Sequence, residues 1–592
     1  MRFRRIAGIA CLAVVLATSI GWQAAAPVRA PAPPTLPDGG AQDAAAAGEH
    51  DPRADYDVRD YRLEVLVDPV TETLRGVTGI AGTVVAESLA VIELDLAPPL
   101  VLQGVARVAG DLFGKQLVTG EELAAEHDGE RVRVTLPVAL RRGERFTIGV
   151  WYSGRPQRRD DFNGFQWTRT PVGKQPWIAS SCQTIGDHTW WPCKASFWHP
   201  EDRADRVAIH VTAPAGPTAV SNGRLVDVEH GAGLTTWRWR LDHPVPTYAI
   251  AIAVGPFVKI EESAVLPGLE RPLPLHYFVL PESEAKARKQ FAQVPALLAF
   301  FSEKFGAFPF ADAKFGIVET PIWGMEHATV IAYGNSFPDA IRGTGEVDPY
   351  ELRNTHFDYV LVHEAAHEWW GNAVTAGSWG DFWLHEGFAT YAEALWVEHV
   401  HGQDEALDFM QAKKAGLSDL ATVYRPRRAT AAEAYDTQMY DKGAWLLHML
   451  RYVMGDAPFF AALKEFAGDP RWRRETCTSA DFQAACEKHH GTSLRAFFQP
   501  WLYGTRWPTY TVHAPKLEGL KATVAIECKS AGRFRHEMPL EVEARCADGS
   551  RVSKRFVVAT GATTLEIEGK APIQSLAWPG FRWILCDVRH VP

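Results

Sequence analysis

Several things are scarce or missing in this 592-residue sequence, and each absence excludes a class of protein. Cysteine is rare: eight residues, with no Cys-x-x-Cys pair that would suggest a thiolate-bound metal. No Lys/Arg-rich run follows the N-terminus and the formal charge is −10, which argues against a nucleic-acid partner. No internal repeat and no heptad pattern appears, so solenoids and coiled coils are excluded. Only one long apolar run exists, Ile6 to Ile20, so nothing beyond it is expected to span a membrane.

That run sits behind Arg2, Arg4 and Arg5 and ahead of the small residues Ala24–Ala26 and Val28-Arg29-Ala30, the order of a secretory signal peptide. Residues 1–30 are therefore expected to direct export to the periplasm or the extracellular space; left uncleaved, they would act as a membrane anchor. Removing their four arginines takes the formal charge from −10 to −14. With Cys11 gone, seven cysteines remain, an odd number. Cys182 with Cys193, and Cys477 with Cys486, are near enough in sequence to be candidate bridges.

What is present in quantity is tryptophan, 21 residues, which implies large aromatic cores or pockets. The length implies several domains. Residues 31–54 are rich in Pro, Ala and Gly and read as a flexible leader. Residues 55–258 alternate apolar and polar, as in Tyr61-Arg62-Leu63-Glu64-Val65-Leu66-Val67, the pattern of strands in a β-sandwich. Helical spacing takes over near Ser283 and persists to about Leu502, within a domain expected over 259–505: Glu284 to Phe305, His356 to Trp370, Glu386 to Val400, Lys442 to Val453, Pro458 to Phe466 and Ser479 to His489. Strand patterns return in 506–592. The expected fold is multidomain α+β: a β-sandwich, a mostly helical domain and a small C-terminal β domain.

The strongest chemical signal is His363-Glu364-Ala365-Ala366-His367, within a segment of helical propensity. Histidines four apart share one helix face, and neutral imidazoles suit Zn²⁺. Glu364 is placed to act as general base toward water. After an eighteen-residue spacer beyond His367 comes Glu386, across a loop holding Gly371, Gly377 and Gly380. Two His and one Glu leave a coordination position open, the arrangement of a catalytic rather than a structural zinc site. The reaction class expected is amide hydrolysis without a covalent intermediate, using one Zn²⁺ ion.

His-Glu-x-x-His, an eighteen-residue spacer and Glu386-Gly387-Phe388-Ala389-Thr390-Tyr391 resemble the gluzincin aminopeptidase family, that of aminopeptidase N and leukotriene hydrolase. The family's Gly-x-Met-Glu-Asn signature has its counterpart in Trp323-Gly324-Met325-Glu326-His327, with Trp323 and His327 departing from it. The resemblance implies a thermolysin-like catalytic domain. It also implies that Glu326, with Gly324 and Met325, binds the free α-amino group of a peptide. Tyr440, in Tyr440-Asp441-Lys442-Gly443, is implied as the phenol that stabilises the oxyanion, with Tyr435 a nearby rival. His327 is expected to hydrogen-bond within its strand. Gln183, in Ser181-Cys182-Gln183-Thr184, matches a family position near the amine. The similarity runs from Tyr56 to Tyr503, and strand rather than a large helical C-terminal domain is expected after Arg506. The function implied is removal of the N-terminal residue from peptides with a free amine. A zinc endopeptidase, an epoxide hydrolase of the same fold and a non-catalytic scaffold stand as alternatives.

Overall fold

The computed structural model describes residues 50–592 except 115–116, 161, 184–185, 196–201, 335–336, 338–356, 427–428, 430 and 474. Pro52–Pro592 form one compact unit. The expectations for residues 1–30 and for most of 31–54 lie outside the described residues. The leader nonetheless stops short of 54. Pro52–Asp55 form a 3-10 turn in which Arg53 is buried and ion-paired to Asp95 at 2.6 Å. An ion pair with both partners withdrawn from water fixes the chain there.

The N-terminal region holds a ten-stranded sheet and a four-stranded sheet. At the centre of the larger sheet, Tyr56–Asp68 pairs antiparallel with Thr73–Val84 and parallel with Arg206–Pro214. Its alternation is realised: Leu63, Val65 and Val67 are buried, while Glu64, Leu66 and Asp68 are partly exposed. The smaller sheet comprises Thr218–Ser221, Ile252–Gly255, Pro176–Cys182 and Asn163–Arg169.

A five-stranded sheet opens the next region: Val258–Ala264, Leu273–Val279, Phe315–Glu319, Gly324–Met325 and Ile331–Tyr333. Helices α1 (Glu284–Phe291) and α2 (Val294–Phe305) replace the single helix expected over this stretch. Pro295 lies in the first turn of α2, the place where its missing N–H costs nothing, so the chain breaks just before it. Next come α3 (Tyr359–Ala366), α4 (Trp383–His401), α5 (Gln403–Lys413), α6 (Ala431–Ala434), α7 (Gly443–Met454), α8 (Asp456–Gly468), α9 (Ser479–His490) and α10 (Arg495–Leu502). Every residue of α4 from Trp383 to Val397 is buried, so this helix runs through the core rather than along the surface. The tryptophans fill that core. Trp190, Trp191, Trp239, Trp369, Trp370, Trp383 and Trp445 are among its largest fully buried side chains.

The C-terminal region consists of two sheets within Thr509–Val591 and a 3-10 turn, Pro579–Trp583. It is pinned to the helices by Trp583, whose ring stacks on His448 (4.5 Å between centroids) and on Tyr452 (5.4 Å). Arg582 adds ion pairs to Asp404 and Asp408 of α5. None of the described helices is long and apolar enough to cross a membrane.

Neither candidate disulfide forms: all seven described cysteines are buried free thiols. The Cys182 sulfur accepts a hydrogen bond from the Trp190 indole at 3.4 Å, and Cys193 pairs through its backbone with Asp95. Cys477 pairs with Ala376, whereas Cys486 lies within α9.

Candidate metal centre

Helix α3 begins at Asp358, whose Oδ1 accepts the Leu361 N–H at 3.1 Å. Its Oδ2 accepts from the Tyr333 hydroxyl at 2.5 Å and from Gln290 Nε2 at 2.8 Å. One buried cap therefore ties α3 to the five-stranded sheet and to α1. The far end is held by the aromatic neighbours of Trp369 and Trp370, among them Phe305, 5.3 Å from Trp370. His363 and His367 lie on this fixed element.

Glu386 arrives from the first turn of α4. Its Oε2 is 3.3 Å from His363 Nε2 and 3.4 Å from His367 Nε2. All three residues are at most 5% exposed. Each imidazole is oriented from behind: His363 Nδ1 is 2.8 Å from Glu393 Oε1, and His367 Nδ1 is 2.8 Å from the Trp370 carbonyl oxygen. Both acceptors require Nδ1 to carry the proton, which leaves both Nε2 lone pairs facing Glu386. Tetrahedral Zn²⁺ with bonds of about 2.0–2.1 Å separates its ligand atoms by about 3.3–3.4 Å. The donor set, the tautomers and the spacing all fit one zinc ion. Burial alone would raise the Glu386 carboxyl, but positive charge on the two neighbouring imidazoles holds it far below the usual carboxylate range, a charge that a zinc ion would supply instead.

Two more carboxylates stand alongside. Glu326, Glu364 and His367 form a second group whose ligand-type atoms lie within 4.8 Å of one another. Glu326 Oε1 and Glu364 Oε2 are buried without a hydrogen-bond partner among the described residues. Burial, with the Glu326 charge adding to it, pushes the Glu364 carboxyl up to about 8. Burial also raises Glu326, with Glu386 opposing ionisation and His367 favouring it. An acid cluster of this density is the setting in which a divalent cation supplies the missing positive charge.

Gly324 is pressed against this cluster. A Cβ there would lie 2.6 Å from Glu364 Oε1 and 2.9 Å from a Val360 methyl. Met325 is buried beside it in the same short strand. His327 follows that strand, and burial lowers its imidazole to about 3, so it is neutral; its Nε2 has no partner among the described residues, and the expected hydrogen bond is not formed there.

Tyr440 lies in a π-turn, Gln438–Lys442, that leads into α7. Its ring runs nearly parallel to that of His363, 6.1 Å away and tilted by 20°. Burial and the Glu386 charge keep the phenol protonated far above its ordinary range. The turn meets α4 at Gly387 and Gly443. A Cβ on Gly387 would lie 2.9 Å from the Gly443 Cα, and one on Gly443 would lie 3.0 Å from the Gly387 Cα. The pair of glycines lets the Glu386 and Tyr440 elements touch. Tyr435 lies 6.4 Å from Tyr440, its hydroxyl buried without a partner among the described residues.

Gln183 is not brought to the cluster by any contact among the described residues. It follows strand Pro176–Cys182, and its backbone N–H bonds the Phe162 carbonyl at 3.4 Å. The β region instead contributes Tyr248, whose hydroxyl is 3.2 Å from His385 Nδ1. Sequence reasoning passed over Tyr248 and Glu393. Glu393 carried a usable signal, two helical turns beyond Glu386 on the same helix; Tyr248 carried none, because only the fold joins it to the site.

Residues 293–501 match the model of the peptidase family M1 domain. That span holds His363, Glu364, His367 and Glu386, so the candidate metal centre lies inside the stretch that is similar to the M1 peptidases. Mouse aminopeptidase B is 23% identical over 422 residues, 65% of this chain and 58% of its own. Aminopeptidase N of Streptomyces lividans is 26% identical over 52% of this chain and 36% of its own. This chain thus spans well under two thirds of these relatives. A solved two-domain M1 zinc metallopeptidase bound to L-tryptophan superposes with a TM-score of 0.61 at 25% identity, covering 77% of this chain and 96% of that one. The M1 zinc metallopeptidase of Deinococcus radiodurans has a TM-score of 0.60 at 24% identity, covering 77% and 95%, and supports the fold.

Proposed function

We propose that this chain is an M1 family member and an exported aminopeptidase with one zinc ion held by His363, His367 and Glu386. The observation that carries the reading is the placement of Glu326, a buried carboxylate with a free oxygen, in the same cluster as Glu364 and the zinc-ligand His367. A carboxylate there rewards a cationic N-terminus and penalises a chain that continues past it.

When bound, zinc supplies Lewis-acid chemistry, polarising the scissile carbonyl and acidifying water. Glu326 holds the substrate ammonium group and so sets which peptide bond meets the base. Glu364 accepts the proton of the attacking water and later delivers it to the leaving amine. Tyr440 donates its phenolic O–H to the oxyanion that develops on the carbonyl oxygen. Gly324 and Met325 shape the floor beside Glu364. Export is supported by the basic, apolar and small-residue order of residues 1–30. Peptides with free amines are the substrates.

The test is release of the chromophore from an aminoacyl-anilide, compared with its N-acetylated form. Turnover of the free-amine substrate should vanish with a chelator and in Glu364→Gln. Equal turnover of the acetylated substrate would end the role given to Glu326, and internal cleavage of an unblocked peptide would replace the reading with an endopeptidase.

A further inference from the structure

We propose that Lys413 is a positioning residue for this reaction: a buried ammonium that locks the His363 ligand and the Tyr440 turn into one rigid assembly. Lys413 closes α5, which doubles back on α4 after Gly402, a residue with φ of 93°. Its side chain is only 9% exposed. Nζ lies 3.2 Å from Asp441 Oδ1, to which it donates a hydrogen bond, and 3.4 Å from Glu393 Oε2, an ion pair. It also sits 5.8 Å from the centre of the Tyr359 ring and 5.0 Å from that of Phe409.

Three of these neighbours lead directly to the site. The other oxygen of Glu393 is the one that holds His363 Nδ1, at 2.8 Å. The Tyr359 ring stacks on the His363 imidazole at 5.5 Å and 21°. Asp441 follows Tyr440 inside the π-turn. Anchoring the second oxygen of Glu393 fixes the plane of that carboxylate and, through it, the rotation of the imidazole. Anchoring Asp441 fixes the turn that aims the phenol. One cation therefore sets the register between a ligand on α3, its orienting acid on α4 and a transition-state donor ahead of α7.

A merely structural ion pair of this kind is often replaceable by apolar side chains without loss. The positioning role differs because a shift of about 1 Å at the reacting groups costs on the order of 10²-fold in rate, and loss of an orienting partner costs about 10–100-fold in metal affinity or activity.

The proposal rests on the aminopeptidase reading for its turnover readout, but not for its metal readout. The experiment uses the full-length zinc-loaded protein and the variants Lys413→Met, Lys413→Arg and Asp441→Asn. It reads kcat and KM on an aminoacyl-anilide and the rate at which zinc passes to a chromogenic chelator. Lys413→Met should lower kcat at least about tenfold with KM within about twofold, and should speed zinc release by about tenfold or more. Lys413→Arg should recover most of both losses. Asp441→Asn, which takes the charge from the arm to Tyr440, should lower kcat and leave zinc release unchanged. A folded Lys413→Met protein with wild-type kcat and zinc release overturns the proposal. Should Lys413→Met fail to fold, unchanged kcat in Asp441→Asn overturns it. If wild-type protein shows no turnover, the aminopeptidase reading fails alone, and zinc release from Lys413→Met still decides the role of Lys413.

Discussion

Substituting Gly324 by alanine adds one methyl group and no charge, yet it should disable hydrolysis. The added Cβ would lie 2.6 Å from Glu364 Oε1, against an ordinary contact of 3.4 Å or more, and 2.9 Å from Val360. Val360 belongs to α3 and is held by the core, so the Glu364 carboxylate is the part that yields, by about 0.8 Å, the shortfall from ordinary contact. A base displaced by nearly 1 Å costs on the order of 10²-fold in rate, or about 3 kcal/mol of transition-state stabilisation. Global stability should fall by about 1–3 kcal/mol, the usual cost of overpacking. The zinc ligands are not in the path of the methyl, so metal content should be unchanged. The assay is kcat and KM on an aminoacyl-anilide beside zinc content and a thermal melt. Wild-type kcat in a zinc-loaded Gly324→Ala protein would refute the argument that the glycine exists to seat Glu364.

Gly443→Ala should push α7 from α4 at the contact with Gly387, lowering kcat more than it raises KM because Tyr440 acts on the developing charge; unchanged kcat would show that the glycine contact does not set the phenol. Chelation should lower the melting temperature as well as activity, since two imidazoles and several carboxylates then share a buried site without their cation, and added Zn²⁺ should restore both; a melt indifferent to chelator would contradict this. His188 provides a pH test away from the metal. Burial opposes its charge, but a hydrogen bond with Asp187 and an ion pair with Glu130 raise it to about 9. A raised folded-state value means stabilisation that is complete below about 6.5 and lost as pH rises through about 9, worth about 1–3 kcal/mol after allowing for the exposure of Glu130. The stability gap between wild type and His188→Gln should therefore be larger at pH 6 than at pH 9.5, and a gap independent of pH would contradict the assignment.

The metal site was legible because its logic is local. Two histidines one helical turn apart and a glutamate opening a second helix across a glycine-bearing loop are patterns that sequence spacing carries directly. The β-rich, helical and β-rich succession was legible for a similar reason, since alternation and helical periodicity survive without tertiary knowledge. The parts that escaped were those made by contact between distant elements. Lys413 belongs to no motif and to no helix expected from the sequence, and only the fold brings it to Glu393 and Asp441. The Gly387–Gly443 contact joins residues with no shared motif spacing, and the π-turn that carries Tyr440 leaves no periodic signature in so short a segment. The cysteine pairs failed in the opposite direction: sequence proximity suggested bonds, and the described cysteines are free thiols.

X-ray absorption at the zinc edge, with metal stoichiometry on the same sample, tests the central claim most directly. The account predicts one zinc per chain with nitrogen and oxygen scatterers at about 2.0–2.1 Å, two of them imidazoles, and loss of the signal in Glu386→Ala. Sulfur scatterers at about 2.3 Å, or a well-folded protein that holds no zinc, would contradict it.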